Sequence, residues 1–382
     1  MRAPLGWLQL RHNPMRLLVA VAGIGFAVLL IMMQLGFRSA LFESAVRWHE
    51  RLDFDIALFS TNSVFIVRPE PFSIRRLYQA GGLEEVASVS PVYIAPGVWR
   101  NPWNDERRSI TIFGIHPEQD VLRTEGFEEW RGSLTKQDTI LFDGNGRPEF
   151  GPVGEKWDPA HPLKTELNDR EVTVGGIIRM GPSFGIDGNI LTSEDNWLRL
   201  FPERGRNDIQ LGLVKLKPGA DPEAVRARIQ ALIPKDVLVM TKPEFIQHEV
   251  DYWNSATPVG YIFTFGAVMG FVVGAIIVYQ ILFADVSEHI REYGTLRAIG
   301  YPNRFVSGIV VQQAAILGLL GYVPGVVIVY FLYGAAARAT QMPLHITLER
   351  AVTVLLLTLV MCAISALLAV RKVRRLDPAD VF

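Results

Sequence analysis

The sequence is poor in the residues that staple, catalyse or ligate. A single cysteine, Cys362, among 382 residues excludes an intramolecular disulfide in any compartment. The seven histidines fall into no HExxH or Cys/His ligand spacing, so no metal site is expected, and His116, His161 and His248 read as surface or loop residues. No Gly-rich loop ends in Lys-Ser/Thr and no GxSxG turn occurs, so the chain is expected neither to bind nor to hydrolyse ATP and to carry no catalytic residue. A net charge of -1, with no basic tract beyond a short C-terminal tail, gives no reason to expect a nucleic-acid partner. Asp143-Gly144-Asn145 and Asp187-Gly188-Asn189 are fragments of a calcium-loop pattern that neither completes, and both read as turns.

Asp, Glu, Lys and Arg are also missing from four long stretches: Leu17 to Phe37, Tyr252 to Ala284, Phe305 to Ala337 and Ala351 to Val370. At about 1.5 Å per residue, roughly 20 apolar residues cross a hydrocarbon core of about 30 Å, so each stretch is long enough to span. The composition, 49% hydrophobic with mean hydropathy +0.21, fits a mixed membrane and aqueous protein. Arg16 and Arg38 bracket the first stretch and Arg350 and Arg371 the fourth, while Trp253, Tyr261, Tyr330 and Tyr333 fall where aromatic belts form. The first stretch is too long for a signal-peptide core and reads as uncleaved. The predicted fold is a membrane α-helical protein with four transmembrane helices and an α+β extracytoplasmic domain inserted between helices 1 and 2.

Short basic segments orient the spans. Arg2, Arg11 and Arg16 precede the first, Arg291, Arg297 and Arg304 lie between the second and third, and Arg371, Lys372, Arg374 and Arg375 follow the fourth. These segments read as cytoplasmic, which puts both termini on the cytoplasmic side of the membrane. The predicted organisation is a cytoplasmic amphipathic segment 1–16, spans 17–37, 256–284, 305–333 and 351–370, an outside domain 38–255, a cytoplasmic helix and loop 285–304, an outside loop 334–350, and a cytoplasmic tail 371–382. Leu5, Trp7, Leu8 and Leu10 among basic residues suit an interfacial helix, the alternative being a frayed tail. The outside domain, with roughly 210 residues, can bury one large or two small cores. Strands are predicted at Asp55–Ser60, Val64–Val67, Ser109–Ile115, Thr139–Phe142, Glu171–Arg179 and Leu211–Leu216, and helices at Ser73–Gln79, Glu194–Leu200 and Asp221–Leu232, where Asp221 caps ahead of Pro222.

In the segment Asp285 to Asn303, Val286, Ile290, Tyr293 and Leu296 recur at helical steps beside Glu288, Arg291, Glu292 and Thr295, predicting a short amphipathic helix stopped by Gly300 and Pro302. Gly294 costs about 1 kcal/mol of helix propensity, acceptable where another group must approach closely. The pattern alone leaves open whether this helix lies on the membrane or receives a partner. Gly266, Gly270 and Gly274 form a ridge for close helix packing, either at a dimer seam or inside one subunit. Gln34, Gln280, Gln312 and Gln313 are the main polar residues at depth and suit interhelical hydrogen bonds. Pro324 between Gly321 and Gly325 suits a hinge or a packing adjustment.

Glu288 to Gly300, with its core Arg291, Glu292, Tyr293, Gly294, Thr295, Leu296, Arg297, Ala298, Ile299, Gly300, resembles the coupling segment of FtsX/MacB-like ABC permeases, although Glu288 stands where Arg is common and Arg291-Glu292 is shifted. The resemblance is closer to the DevC family and covers nearly the whole chain. It includes Pro4 to Leu10, Met33 to Arg38, Arg147 to Gly151, Ser183 to Asn189 and Asp377 to Phe382. What it implies is an exporter permease working as a homodimer with a separate ABC ATPase subunit that holds ATP and Mg, a periplasmic adaptor (membrane fusion protein) and a TolC-like outer-membrane protein. The spans would act as levers and the outside domain would handle cargo. An FtsX-like regulator of a cell-wall hydrolase and a lipoprotein-releasing permease are the alternatives the same family allows.

Overall fold

A computed structural model describes Trp7, Leu10 and residues 12–374. Arg2, Arg11, most of the Pro4–Leu10 motif, Arg375 and the whole Asp377–Phe382 motif lie outside the described residues. The chain divides into two compact units, Met1–Ala40 with Pro258–Phe382, and Leu41–Thr257.

The first unit is built on four helices, Pro14–Ala45, Pro258–Glu288, Asn303–Thr340 and Leu348–Arg374. All four are long and apolar enough to cross a membrane. Their shared core takes Ile24, Ala27, Val28 and Ile31 from the first, Val278 and Leu282 from the second, Val310, Ala314 and Leu317 from the third, and Val354, Met361 and Ala366 from the fourth. The opposite faces leave Phe265, Val268, Val323, Phe331, Leu356 and Leu367 exposed, a distribution that suits lipid as solvent and not water. The helices outrun the charge-free stretches. The first continues to Ala45 through Arg38 and Glu43, the second continues through Asp285 to Glu288, and the third reaches Thr340 because nothing breaks it before Gln341, where φ is 55°. A helix needs neither apolarity nor lipid to continue, only the absence of a breaker.

Small residues bring these helices together. A Cβ added at Gly25 of the first helix would lie 3.3 Å from the carbonyl oxygen of Gly321 in the third, and one at Gly325 would lie 3.0 Å from the carbonyl oxygen of Gly25. The glycines flanking Pro324 are therefore packing surfaces for the first helix. The ridge on the second helix also faces inward: Gly266 meets Gln34, Gly270 meets Leu30 and Ile31, and Gly274 meets Ala27 and Met361. This corrects the option of a dimer seam at the ridge, because helices of the same chain already fill the groove.

The second unit is organised by a nine-stranded sheet of order β11-β1-β10-β3-β4-β8-β5-β7-β6. Its strands are β1 (Ile56–Ser60), β3 (Val86–Arg100), β4 (Arg107–Ile115), β5 (Thr139–Asp143), β6 (Lys164–Leu167), β7 (Arg170–Ile178), β8 (Asn189–Ser193), β10 (Leu211–Leu216) and β11 (Val237–Thr241), with β2 (Phe72–Ser73) and β9 (Asp208–Ile209) forming a separate pair. β4–β8 and β5–β7 are parallel and the other pairings antiparallel. Both faces of the sheet are covered. Ile56 and Leu58 belong to one core and Ala57 and Phe59 to another, and Val214 and Leu213 divide the same way on β10. Side chains alternate along a strand, so two cores on alternate residues mean two buried faces, which is why these strands read as unbroken apolar runs. Leu77, Trp197 and Ile229 from helices fill the first core, and Trp48, Phe127 and Phe245 the second.

Glu194–Leu200 and Leu211–Leu216 form as predicted, and Asp221 caps the helix Pro222–Leu232 by accepting the Glu223 N–H at 3.1 Å. Val64–Val67 is not a strand: the Ile66 N–H goes to the Glu249 carboxylate at 3.0 Å instead of to a neighbouring strand. The longest strand, β3, is 15 residues long and pairs with β10 along its first half and β4 along its second.

Candidate coupling site

The second membrane helix ends at Glu288, turns at His289, and restarts as the helix Ile290–Ala298. The apolar stripe of that segment faces the bundle: Val286 and Tyr293 are fully buried, Gly294 is buried, and Leu296 packs at the edge of the same core. Arg291, Glu292, Thr295, Ala298, Ile299 and Gly300 are exposed. Gly300 has φ 105° and the Tyr301 N–H returns to the Leu296 carbonyl at 3.1 Å, the long bond of a Schellman stop. Pro302 then stands at the N-cap position of the third membrane helix, its carbonyl accepting the Phe305 N–H at 2.8 Å. Arg297 lies on the same short helix, one residue before its end. The outward face thus combines both charge signs with a bare apolar spot, since Ile299 is 70% exposed.

Beneath this helix sits a polar junction at Asp285, a residue that falls just past the charge-free stretch and has no motif around it. Asp285 is buried on the last turn of the second membrane helix and accepts from Gln313 Nε2 of the third at 3.0 Å. Arg16 of the first helix lies 4.0 Å from Asp285 and pairs directly with Glu288. His289 Nδ1 is 2.9 Å from the Asp285 carbonyl oxygen. Three membrane helices therefore meet at one carboxylate where the short helix departs. Of the glutamines at depth, Gln313 makes this interhelical bond and Gln34 fills the space over Gly266. Tyr333 is buried rather than in an aromatic belt, its hydroxyl donating to the Met32 carbonyl.

In the second unit the structure joins the two motifs Arg147–Gly151 and Ser183–Asn189. Arg147 pairs with Asp187 at 2.6 Å, and Gly188 lies under the Phe150 ring, where a Cβ would be only 2.6 Å from Cε2. Behind them Asp143, fully buried, accepts the N–H groups of Asn145, Met180 and Gly181 at 2.9–3.1 Å and the Asn189 amide at 2.6 Å. Burial pushes the Asp143 carboxyl upward, and these hydrogen bonds oppose that shift. Trp48 Nε1 donates to Asn189 Oδ1 at 2.8 Å and Arg47 donates to the Met180 carbonyl at 3.4 Å, so the helix Arg47–Arg51 is tied to the same knot. The two Asp-Gly-Asn fragments are thus the two sides of a structural clamp and more than surface turns. Among the described residues, no group of three or more His, Cys, Asp and Glu converges on a metal-sized space.

Four apolar helices with an α+β domain inserted after the first, and a short helix turned out between the second and third, define a multi-pass membrane protein with an aqueous domain. The family model of the MacB-like periplasmic core domain matches residues 17–232, and that of the FtsX-like permease C-terminal region matches residues 264–378. The chain belongs to the FtsX/MacB-like family of ABC transporter permeases. An uncharacterized ABC transporter permease of Methanocaldococcus jannaschii is 24% identical over 238 residues, which take in 59% of this chain and 57% of that protein, so the match spans little more than half of the relative. Among solved structures, the periplasmic region of MacB from Actinobacillus actinomycetemcomitans is 15% identical, with 54% of this chain and 96% of that chain covered and a TM-score of 0.37. The extracellular domain of the noncanonic ABC-type transporter YknZ from Gram-positive bacteria is 16% identical, with 48% and 98% covered and a TM-score of 0.34.

Proposed function

We propose that the chain is the permease subunit of a DevC-like ABC exporter, and that the helix Ile290–Ala298 is where a separate ATPase subunit delivers force. The reading is supported chiefly by one observation: inside the FtsX-like region, a short helix anchored by Tyr293 turns Arg291, Glu292, Thr295 and Ile299 outward, away from its own bundle. Mixed charges around an apolar spot suit a protein partner better than a lipid surface, where a wholly apolar face would be needed. In this reading the helix lies in the cytoplasm, both termini are cytoplasmic, and the membrane is a bacterial inner membrane. ATP and Mg belong to the partner. The chain works as a homodimer, and the inserted domain is periplasmic, where it meets an adaptor protein and, through it, a TolC-like duct. Motion of the short helix would pass along the membrane helices to that domain, which handles the cargo.

Exchanging the charges by Glu292→Arg with Arg297→Glu tests the contact. The variant is expected to insert normally yet to lose the ATPase on affinity purification, or to retain it with ATP hydrolysis no longer linked to export. Undiminished export together with full recovery of the ATPase would overturn the assignment.

A further inference from the structure

In the second unit, Glu249 and His49 are both buried, 2% and 0% exposed, and face one another with Nε2 of the imidazole 3.6 Å from Oε2 of the carboxyl. Neither ring nitrogen of His49 has a hydrogen-bond partner. A neutral imidazole always carries one acceptor nitrogen, and leaving it unpaired in an apolar setting is costly. The setting is apolar: the Phe245 ring meets the His49 ring in a tilted contact, centroids 4.5 Å apart, and Phe54 and Phe59 close around Phe245. Glu249 is already bound on two sides. Its Oε2 accepts the Ile66 N–H at 3.0 Å, and its Oε1 accepts Trp253 Nε1 at 2.9 Å.

We propose that Glu249 and His49 form a site for one exchangeable proton in the inserted domain, and that its occupancy is passed to Trp253 and the turn Tyr252–Ala256. A proton taken from solvent adds to Glu249 Oε2, forming an O–H that donates to Nε2 of His49. The carboxyl loses its charge, and Nε2, the acceptor nitrogen of the neutral ring protonated at Nδ1, gains a donor. The Trp253 N–H, which prefers a carboxylate to a neutral acid, is released in proportion. Trp253 lies in the π-helical turn that leads by chain order into the second membrane helix, and its ring also meets Phe184 at 4.6 Å and Phe65 at 5.3 Å. The other titratable groups nearby do not compete for the role. Lys242 points its ammonium at the Glu50 and Leu52 carbonyls, and its charge acts to keep His49 neutral. His248, on the same helix as Glu249, is lowered by burial with Asp251 opposing. Burial raises Glu249 to about 7 and lowers His49 to about 3, so the carboxyl is the member that changes state near neutrality.

Infrared titration of the full chain in lipid nanodiscs tests this. The wild type is expected to gain a buried carboxylic-acid carbonyl band on acidification between about pH 8.5 and 5.5, and Glu249→Gln to lack it. Trp253→Phe removes a hydrogen bond that favours the charged carboxyl, so its midpoint is expected to rise; this comparison stands even if Glu249→Gln does not fold. No titrating band in the wild type, or an unmoved midpoint in Trp253→Phe, would overturn the proposal.

Discussion

Two chemically identical substitutions on the third membrane helix should have opposite effects. A Cβ at Gly321 would lie 2.5 Å from Ile24 Cβ and 3.3 Å from the Val21 carbonyl oxygen. Ordinary contact begins at 3.4 Å, so the shortfall is 3.4 − 2.5, about 0.9 Å, and Ile24 Cβ is fixed to the first helix backbone and cannot swing aside. Gly321→Ala therefore forces the helices apart. Overpacking costs about 1–3 kcal/mol, against which the gain in helix propensity is about 1 kcal/mol. The loss is enlarged because the Gly25–Gly325 contact beside it opens too, giving a net destabilisation of about 2 kcal/mol. Gly334 has nothing within 4 Å of the added atom, so Gly334→Ala keeps the propensity gain alone.

The chain supplies its own reporter. Cys362 is the sole cysteine and is 1% exposed in the fourth helix, so a thiol-reactive fluorophore reads unfolding of the bundle directly. At about 2–4 °C per kcal/mol, Gly321→Ala should lower the midpoint by about 4–8 °C and Gly334→Ala should raise it by up to about 4 °C. Equal shifts in the same direction would mean that the first and third helices do not cross at Gly321, and the packing argument would fail.

Asp285→Ala strips Gln313 of its acceptor and removes the buried charge facing Arg16, so it should lower the thiol-release midpoint by several degrees, whereas Asp285→Asn, which can still accept from Gln313, should lose less than half as much; equal losses would count against the hydrogen bond as the main contribution. Glu249, raised from 4.5 to about 7, contributes stability that is full below pH 4.5 and lost as pH rises through 7, while His49, lowered from 6.5 to about 3, contributes stability that is full above pH 6.5 and lost as pH falls toward 3. The two slopes, about 1.4 kcal/mol per pH unit each, oppose one another between pH 4.5 and 6.5, so Glu249→Gln should uncover in that window an acid sensitivity of the inserted domain that this pair gives the wild type only below pH 4.5, read as an earlier acid midpoint in tryptophan fluorescence; identical acid midpoints would refute the pairing.

Local signals in the sequence carried well where the physics is local. The four charge-free stretches are contiguous in sequence, and the Asp221-Pro222 cap and the Gly300 stop depend on residues within one or two turns; each is found in the structure. Long-range signals did not carry. β3 contains Pro91 and Pro96, which lower strand propensity, yet both lie within its paired length, opposite Gly212 and Thr111. Asp143 and Asn189 read as turn residues because their flanking glycines are local, whereas of the groups that hold Asp143 only the Asn145 N–H is local, and the others come from Met180, Gly181 and Asn189 on a distant segment. The glycine ridge was legible as a close-packing surface, but its partner was not. Nothing in Gly266, Gly270 and Gly274 says whether the opposing helix belongs to the same chain; Gln34, Ile31 and Ala27 answer that only once the bundle is assembled.

The positions of these contacts bear on how the bundle could transmit motion. Gln313 bonds to the second helix through Asp285, Gly321 and Gly325 meet the first helix backbone to backbone, and Tyr333 donates to Met32 of the first helix. Gln313 and Tyr333 are separated by roughly 30 Å of helix, so the third helix is fastened near both ends and at its middle. Ser365 adds a bond from the fourth helix to the Ala275 carbonyl of the second at 2.8 Å. A helix fastened at one level can pivot or slide, but one fastened at three levels to its neighbours moves with them. Under the proposed function, a push on the helix Ile290–Ala298, which joins the second and third helices within the chain, is expected to tilt the bundle as a body and not to slide one helix past another.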